Sequence, residues 1–424
     1  MRLLILGSGG REHALIWKLK QSPEVEEIFC IPGNAGIAID AETFSLPLHD
    51  FEKIVQFIRE KEIDFTIVGP EQPLVEGVVD FLQSQKIPVF GPSKAAAQLE
   101  GSKVFAKNFM KKYNIPTATF KEFSDYQQAL KYLNTLRESK IVIKADGLAA
   151  GKGSVVCTDL AEARQALKTI MVDRIFADAG KQVVIEEFMQ GEEASLFVIT
   201  DGKDYRVLPP AQDFKRALDG DRGKNTGGMG SYAPTPVLTP DLYNRTIKEI
   251  VEPVLNGLRS EGITYQGVLY CGLMLTAAGP KIVEFNCRFG DPETQVVLPL
   301  LESDLLELCI AVSRQTLADY KLSVKSASAI CVIATAGGYP DAYEKGKVIH
   351  GLDQLEAGVF IFHAGTARSG SQYLTNGGRV LGVTAVDKDL KTAIDRVYRN
   401  IKRIHFEGMY YRRDIAQRVI QSLK

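Results

Sequence analysis

The sequence predicts an α/β protein, α+β in its overall composition, that starts with a doubly wound parallel sheet and ends in a β-rich region. Three observations support this class. Strand-like and helix-like segments alternate through the first hundred residues, strands prevail after Ala194, and glycine- and proline-rich turns separate the segments. With 424 residues the chain exceeds one ordinary hydrophobic core, so we expect about three domains.

The first hundred residues predict the parallel sheet because each apolar strand is followed by a segment with helical spacing. The predicted strands are Leu3–Leu6, Glu27–Ile31 and Phe65–Val68, and the predicted helices are Arg11–Gln21, Phe51–Lys61 and Gly77–Gln85. Sheets of this kind bind their ligands where the strands end. The turns at those ends are Gly7–Gly10, Pro32–Gly36 and Gly69–Glu71.

A small lid-like module is predicted after the basic helix Ser102–Tyr113. Between residues 118 and 189 its strands are Ile141–Lys144, Ser154–Cys157 and Val183–Glu187. A larger antiparallel part follows, with strands near Ala194–Thr200, Val268–Leu275 and Lys281–Asn286. Residues 213–236 are rich in Gly, Pro and charge, which is typical of a long functional loop. We expect domains at 1–101, at 102–325 with the lid at about 118–190, and at 326–424.

The composition excludes several classes of protein. Lys and Arg total 51 against 52 Asp and Glu, so the formal net charge is -1 and offers no basic field to a nucleic acid. No stretch reaches the roughly 20 apolar residues of a membrane span, and the N-terminal apolar run is too short for a signal peptide. The six cysteines are scattered without a CxxC pair, which predicts reduced core thiols. We therefore expect a cytoplasmic protein without a nucleic-acid or membrane partner.

The first turn, Gly7-Ser8-Gly9-Gly10-Arg11-Glu12, follows a strand and opens a helix. Its backbone N–H groups and the helix dipole favour a phosphate. The turn half matches the dinucleotide pattern, but Glu12 stands where the third glycine belongs, and a carboxylate there disfavours a pyrophosphate. A single phosphate, a plain structural turn and, less favoured, an NAD site remain as interpretations.

A glycine-rich hairpin follows the apolar strand that ends at Lys144. Three residues separate Gly147 from Gly151, Gly153 follows Lys152, and a strand rather than a helix continues, so the segment is not a P-loop. Such a hairpin can fold over phosphates and donate N–H groups to them. A lysine at the end of a buried strand favours a phosphate contact over an edge-strand charge.

Acidic residues follow the strand that starts at Val183. The connector Glu186-Glu187-Phe188-Met189 can present backbone groups to the edge of adenine, and Glu193 can accept hydrogen bonds from ribose hydroxyls. Acidic residues at strand ends are also common surface features, so this signal is weak by itself.

The segment from Lys281 to Gln295 carries the strongest signal. Side chains alternate across a strand, so Glu284, Asn286 and Arg288 are predicted on one face, while Val283, Phe285 and Cys287 are predicted to be buried on the other. Carboxylate and amide oxygens suit Mg²⁺, which takes one or two protein ligands beside ATP phosphates and water. A guanidinium can hold a carboxylate bidentately. An ordinary half-exposed strand with an ion pair is the less favoured alternative.

Taken in order, these segments resemble the ATP-grasp superfamily, which combines a strand lysine, a glycine loop, a Glu-rich connector and a Glu-x-Asn metal strand. Within it, the sequence is similar to the phosphoribosylamine–glycine ligases, also called glycinamide ribonucleotide synthetases, over essentially its whole length. The motifs that carry this similarity are residues 9–13, 32–36, 68–71, 99–103, 144–153, 225–230 and 288–293.

The resemblance implies an ATP-grasp core with a small mobile lid, and a carbon–nitrogen ligase of de novo purine biosynthesis. Its substrates would be glycine, 5-phosphoribosylamine and ATP, with Mg²⁺ or Mn²⁺, and it would form glycinamide ribonucleotide through glycyl phosphate. A monomer or weak homodimer is expected.

The resemblance also implies roles for individual residues. The nucleotide would be bound by Lys103, Lys144, Gly147, Gly151, Gly153, Glu186, Glu187, Phe188, Met189 and Glu193. The metal ligands would be Glu284 and Asn286; relatives often add an acid from the preceding strand, but 269–276 contains none. The catalytic residues would be Arg288, Asp291 and Lys215. The other substrate-binding residues would be Gly9, Gly10, Arg11, Gly33, Asn34, Asp213 and Gly290.

Three rival interpretations remain. The chain could be another ATP-grasp ligase, including a carboxylase of the purine pathway that uses bicarbonate. It could be an oxidoreductase built on the first turn, although this leaves the 141–153 and 284–293 segments unexplained. It could also be a nucleotide-sensing module without turnover, which would not need Arg288 and Asp291 beside the metal strand.

Overall fold

The N-terminal part forms a five-stranded parallel sheet in the computed structural model, which describes residues 1–137, 140–149 and 153–422. In spatial order its strands are Glu42–Thr43, Glu27–Pro32, Arg2–Gly7, Phe65–Val68 and Val89–Phe90. Leu4 and Leu6 pack into one apolar cluster, Leu3 and Ile5 into another, so both faces are buried. The doubly wound prediction is confirmed. The chain order reverses at Arg2–Gly7, where such sheets bind ligands.

The helices of this part match the predicted periodicity within a few residues. Asp50 and Ser93 begin two of them by accepting hydrogen bonds from backbone N–H groups in the first turn. The helices are Gly10–Leu19, Ile37–Asp40, Phe51–Glu60, Glu71–Glu76, Val78–Ser84 and Lys94–Gly101, and the basic helix Lys103–Lys112 leads on to the lid.

The lid is a four-stranded antiparallel sheet covered by two helices. Its strands, in spatial order, are Phe120–Phe123, Val183–Glu187, Ile141–Ala145 and Ser154–Cys157. Its helices are Tyr126–Leu133 and Leu160–Met171, with a 3₁₀ turn at Ala177–Lys181. Ile143, Ile185 and Leu167 belong to an apolar cluster of the lid's own. Lys152 and Gly151 lie outside the described residues.

A second four-stranded antiparallel sheet, called the large sheet below, faces the lid. Its strands, in spatial order, are Tyr205–Val207, Glu192–Thr200, Gly267–Thr276 and Gly279–Asn286. The helices around it are Pro240–Thr246, the π-turn Ile247–Val251, Glu252–Ser260, Thr294–Leu300, Leu305–Ser313 and the 3₁₀ turn Leu317–Asp319. Leu273 and Phe285 share an apolar cluster with Leu4 and Phe29 of the N-terminal sheet, so these two parts pack against each other.

The prediction of a long loop at 213–236 is wrong. This segment contains a hairpin, Arg216–Leu218 with Arg222–Asn225, and the strand Gly230–Ala233. The glycine, proline and charged residues of this segment indicated a loop instead of strands, because hairpin turns use the same residue types as loops. Gly230–Ala233 pairs with Ser328–Thr335, so strands from the middle of the chain extend the C-terminal sheet.

The C-terminal sheet has five antiparallel strands. In spatial order they are Gln212–Asp213, Gly230–Ala233, Ser328–Thr335, Arg379–Asp387 and Val359–His363. Beside it lie a three-stranded sheet of Val348–Ile349, Gln372–Thr375 and Thr366–Ser369, and the helices Leu390–Ile401 and Gln417–Ser422. The β-rich C-terminal region is thus confirmed. The domain boundaries at 101 and 325 stay predictions. Within the described ranges no helix is long and apolar enough to cross a membrane.

Arg412 holds the hairpin of residues 216–225 against the C-terminal segment. Its side chain is fully buried, 2.8 Å from Asp221 and 2.7 Å from Asp414, and it donates to the carbonyl of Arg216. Replacement by methionine should lower the free energy of unfolding by about 2–4 kcal/mol, because it leaves two carboxylates without their buried partner. Denaturant titration measures this loss. Arg418, exposed and paired with the same Asp221, provides the control, and equal losses from both substitutions would contradict the expectation.

Candidate active site

A cavity of about 470 Å³ lies between the lid and the large sheet. This volume is typical of sites for small molecules and cofactors. Its wall combines apolar patches with many charges. The cations on it are Arg11, Lys103, Lys144, Lys215, Arg288 and Arg379, and the acids are Glu71, Glu100, Glu186, Glu187, Glu193, Asp213, Glu284, Asp291 and Glu293.

Most residues predicted to bind ligands line this one cavity. They are Arg11, Lys103, Lys144, Gly147, Gly153, Glu186, Glu187, Phe188, Met189, Glu193, Asp213, Lys215, Glu284, Asn286, Arg288, Gly290 and Asp291. Four predicted residues do not line it, namely Gly9, Gly10, Gly33 and Asn34. Gly9 nevertheless adjoins the cavity, since a Cβ placed on it would lie 3.5 Å from Asp291 Oδ2. Gly151 lies in the part of the chain that is not described.

Glu284 faces a lysine from the helix after the N-terminal sheet. Lys103 Nζ donates to Glu284 Oε2 at 3.2 Å. The nearby charge of Lys103, helped by Lys144 and Lys215, lowers the pKa of Glu284 to about 2 despite burial. Burial alone would lower the pKa of Lys103, but the negative charges of Glu284 and Glu100 outweigh this effect and raise the pKa. Both groups are therefore ionised at neutral pH.

Asn286 sits on the same strand, with its amide fixed by two acceptors. Assigned from its neighbours, with the nitrogen towards the acceptors, the amide donates to Glu100 Oε1 at 2.8 Å and to the carbonyl of Phe285 at 3.2 Å. The amide oxygen therefore points the other way, and together with the Glu284 carboxylate it forms a pair of hard oxygen donors that fits Mg²⁺ or Mn²⁺. Within residues 1–137, 140–149 and 153–422 no group of three or more His, Cys, Asp or Glu is arranged to hold a metal ion.

The strand that carries these two residues contains a β-bulge at Val283. Gly272 pairs with Glu284 and Leu273 pairs with Ile282, so Val283 is one extra residue. The strict alternation predicted for this strand is therefore wrong at Val283, which is half-buried and lines the cavity, while Phe285 and Cys287 are buried as predicted. The bulge turns the Val283 carbonyl to the lid, where it accepts a hydrogen bond from Lys144 Nζ at 2.9 Å.

Lys144 is buried and shares a carboxylate with a second lysine. Its Nζ lies 3.0 Å from Glu186 Oε2, and Lys107 Nζ lies 3.1 Å from Glu186 Oε1. The Glu186 side chain is thus occupied by lysines, and only the backbone of this residue remains to contact a base. Next to it, Glu187 is fixed by the N–H of Thr119 at 3.0 Å, and the Phe188 ring stays partly exposed.

Beyond the strand Gly279–Asn286, the side chain of Lys215 lies among carboxylates. Its Nζ contacts Glu193, predicted to bind ribose, and lies 3.4 Å from Asp213 Oδ1. These carboxylates raise the pKa of Lys215 well above its usual value although burial opposes them. Burial raises the pKa of Asp213 to about 7, with Lys215 acting against it and Glu293 reinforcing it.

Arg288 spans two acids from the N-terminal part. Its Nε donates to Glu71 Oε2 at 3.1 Å, and one Nη donates to Glu100 Oε1 at 2.8 Å. Arg288 and Arg11 lower the pKa of Glu71 to about 2 against the effect of burial. Glu100 in turn accepts from the N–H of Cys287 at 2.7 Å. The guanidinium lines the cavity in a fixed orientation rather than as a free side chain.

Arg379 fixes Asp291 from the C-terminal sheet. It donates to the Asp291 carboxylate at 2.9 Å and to its carbonyl at 2.8 Å, and it also reaches the carbonyl of Gly227 at 2.5 Å. Gln295 donates to the other carboxylate oxygen at 2.7 Å. Asp291 is thus oriented by side chains from two segments that are distant in sequence.

The first turn is closed by its own glutamate. Gly9 N donates to Glu12 Oε2 at 2.6 Å, and Arg11 donates to Glu12 Oε1 at 2.7 Å. Glu12 therefore takes the backbone donor that a pyrophosphate would need. The second turn is held by Asn34, which donates to the carbonyls of Ser8 and His363 at 2.8 and 2.9 Å.

Five residues of this network were missed as site residues. Glu71 and Glu100 stood inside the motifs 68–71 and 99–103, and Glu293 inside 288–293, so the motifs themselves were the available signal. Arg379 directly follows a Gly-Gly pair between predicted strands, which gave a weaker signal. Lys107 gave none, because it occurs in a basic helix among other lysines.

A glycine hairpin and buried lysines facing a Glu-x-Asn strand across two antiparallel sheets define an ATP-grasp protein. Comparisons with known proteins agree. Three descriptions match in turn: "Phosphoribosylglycinamide synthetase, N domain" at residues 1–100, "Phosphoribosylglycinamide synthetase, ATP-grasp (A) domain" at 101–294 and "Phosphoribosylglycinamide synthetase, C domain" at 329–418.

The chain is 49% identical to a phosphoribosylamine–glycine ligase of Vibrio vulnificus (strain YJ016) in an alignment that covers 99% of each chain. It is 46% identical to a bifunctional purine biosynthetic protein of Schizosaccharomyces pombe, matching 98% of this chain and 53% of that one. The crystal structure of phosphoribosylamine–glycine ligase from Thermotoga maritima is similar with a TM-score of 0.86 and 37% identity, over 98% of this chain and 100% of that one. The chain belongs to the phosphoribosylglycinamide synthetase family.

The pKa of Asp213 predicts how the stability of the protein depends on pH. Because this pKa is raised from 3.8 to about 7 in the folded chain, the folded state keeps a proton that the unfolded state releases between those values. The free energy of unfolding of the wild-type protein, minus that of Asp213→Asn, should therefore fall by more than about 1 kcal/mol as the pH rises from about 4 to 7. Denaturant titrations of both proteins across this range measure the difference. A difference that grows with pH would contradict the raised pKa.

Proposed function

We propose that this chain joins glycine to 5-phosphoribosylamine at the expense of ATP, giving glycinamide ribonucleotide, ADP and phosphate in de novo purine biosynthesis. The observation that carries the proposal is the opposition of Lys103 and Lys144 to the strand of Glu284 and Asn286, in a chain similar to such ligases along its full length. Cations on one side and hard oxygen ligands on the other suit the triphosphate of a metal–nucleotide complex.

The nucleotide lies between the two sheets in this proposal. Lys103 and Lys144 contact its phosphates, and Gly147 and Gly153, which line the cavity, cover them. Gly151 belongs to the same prediction but lies outside the described residues. The backbone of residues 186–189 and the ring of Phe188 border the adenine, and Glu193 accepts from the ribose. Glu284 and Asn286 would hold Mg²⁺ or Mn²⁺, which when bound neutralises charge on the phosphates.

Glycine is placed near Arg288, Gly290 and Asp291. Its carboxylate is the electron-rich partner of Arg288, and its ammonium group suits the acids around Lys215, above all Asp213. We place the ribosyl phosphate of the second substrate towards Arg11 and the turns with Gly9, Gly10, Gly33 and Asn34. The Gly9 N–H would have to exchange Glu12 for that phosphate.

The chemistry proceeds in two steps. An oxygen of the glycine carboxylate attacks the γ-phosphorus of ATP, and ADP leaves, which produces glycyl phosphate. The amine nitrogen of phosphoribosylamine then attacks the acyl carbon; the carbon–oxygen bond breaks, phosphate leaves and the nitrogen loses a proton. No side-chain nucleophile is needed, so the residues act by positioning and by stabilising charge. The lid keeps water from the acyl phosphate.

An oxidoreductase is less well supported, because Glu12 occupies the donor that a dinucleotide would use. A carboxylase that uses bicarbonate is also less well supported, because the chain is 49% identical along its full length to a phosphoribosylamine–glycine ligase. We further propose that the chain works on small molecules alone, in the cytoplasm, as a monomer or weak homodimer. Its six free, buried cysteines suit a reducing compartment.

Substitution of Glu284 by alanine tests the metal strand. It removes the carboxylate of the proposed metal pair, and glycine-dependent ADP formation should fall by about 100-fold or more, with a higher Mg²⁺ requirement. ADP release is measured against Mg²⁺ concentration, and circular dichroism checks the fold. Glu249→Ala, in the π-turn Ile247–Val251 and ion-paired only with Arg245 among the described residues, is the control with expected wild-type activity. Unaltered turnover of Glu284→Ala would exclude this metal site.

Substrate omission separates the ligase from its rivals. Phosphate release from ATP by the wild-type protein should require both glycine and phosphoribosylamine, since the acyl phosphate forms on glycine and is consumed by the amine. Bicarbonate should not replace glycine. Release with bicarbonate instead would identify a carboxylase, and ATP binding without any release would identify a nucleotide-sensing module.

A further inference from the structure

Lys107 is a buried lysine next to the proposed nucleotide site that no step above uses. It belongs to the helix Lys103–Lys112, one turn after Lys103, and its side chain is only 3% exposed. Its Nζ donates to Thr117 Oγ1 at 2.8 Å and lies 3.1 Å from Glu186 Oε1. Among the described residues no donor is aligned for a hydrogen bond to Glu186 Oε1, so this contact is an ion pair.

The contacts of Lys107 close a ring behind the phosphate-binding lysine. Thr117 donates in turn to the carbonyl of Ile282 at 2.7 Å. On the other side Glu186 contacts Lys144, which donates to the carbonyl of Val283, the next residue of the metal strand. The ring thus connects the basic helix, a lid strand and the strand of Glu284. Lys107 is the member that holds Glu186 from the side opposite Lys144.

We infer that Lys107 is a positioning residue that divides the charge of Glu186 and so keeps the charge of Lys144 available to the nucleotide phosphates. The inference rests on the function proposed above. With both lysines present, the group of Lys107, Glu186 and Lys144 carries one net positive charge. Without Lys107 the group is neutral, and Glu186 attracts Lys144 alone, away from the phosphates.

The burial of Lys107 supports this assignment, because burial disfavours the charged form of a lysine. Burial lowers the pKa of Lys107 to about 8; Glu186 acts in the opposite direction, and Lys144 and Lys103 lower the pKa further. The lysine therefore keeps its proton at neutral pH. A side chain needed only to fill this volume could be apolar and would avoid the cost of a third buried cation.

Three variants test the inference by ADP and ATP binding and by glycine-dependent ADP formation. Lys107→Met should weaken nucleotide binding by about tenfold and raise the KM for ATP similarly, with a smaller change in kcat. Lys107→Arg should stay near the wild type because it keeps the charge. The double variant Lys107→Met, Glu186→Gln should recover most of the lost affinity, because it restores the single net positive charge.

The double variant separates charge balance from simple packing. If Lys107 only supports the fold, then removing the Glu186 charge as well will deepen the defect, and the inference is overturned. Wild-type affinity in Lys107→Met also overturns it. Because Glu186 keeps Lys144 as a partner, Lys107→Met leaves no buried charge unpaired and should fold; Lys107→Gln replaces it if it does not. The double variant leaves Lys144 with the Val283 carbonyl, so thermal melting checks that both variants are folded before their affinities are compared. Wild-type protein without glycine-dependent ADP formation would instead refute the proposed function.

Discussion

The need to pair buried cations governs the construction of this site. Among the described residues, every cation on the cavity wall faces a carboxylate. The pairs are Arg11 with Glu12, Lys103 with Glu284, Lys144 with Glu186, Lys215 with Glu193, Arg288 with Glu71 and Glu100, and Arg379 with Asp291. An unpaired charge costs several kcal/mol where the pair is buried, as for Arg11 with Glu12 and Lys144 with Glu186, so each of these cations constrains where an acid must stand. The cost is smaller for the partly exposed pair of Lys215 with Glu193. Because the two members of each pair beyond Arg11 come from different segments, the pairing also joins the segments around the cavity.

This constraint sharpens the role of Arg288. The sequence suggests a guanidinium that is free to hold a carboxylate substrate in a fork. In the structure Glu71 and Glu100 hold two of its nitrogens, so its plane is fixed before a substrate arrives. A preoriented guanidinium loses less conformational entropy on binding than a free one. The acids that neutralise Arg288 therefore also orient it, and they connect the segment after the strand Gly279–Asn286 to two helices of the N-terminal part.

Much of the fold and the site could be predicted because their signals are local. Strand and helix periods, glycine turns and the Glu-x-Asn strand each occupy a few consecutive residues. The rest depends on partners that are distant in sequence. The alternation of side chains along the strand does not predict the bulge at Val283, because the bulge arises from the neighbouring strand, where Gly272 pairs with Glu284 and Leu273 pairs with Ile282. The strand Gly230–Ala233 is stabilised by pairing with Ser328–Thr335, about a hundred residues away. The role inferred for Lys107 depends on its contact with Glu186, which the sequence around Lys107 does not indicate.

The kinds of contact that join the parts of the molecule explain how a lid can both close and open. The N-terminal and large sheets share one apolar cluster, whereas Ile143 and Ile185 of the lid belong to a separate one. The lid contacts the strand Gly279–Asn286 instead through polar groups, such as Lys144 with the Val283 carbonyl and Glu187 with Lys281. Water can replace hydrogen bonds and partly exposed ion pairs at small cost, but it cannot replace buried apolar area. Separation of the lid therefore exposes little apolar surface, and its main cost is the buried ion pair of Lys107 with Glu186, which joins the basic helix to the lid. In the reaction proposed above, a phosphate chain that draws Lys103 and Lys144 together would supply the extra attraction for closure, which an acyl phosphate intermediate requires.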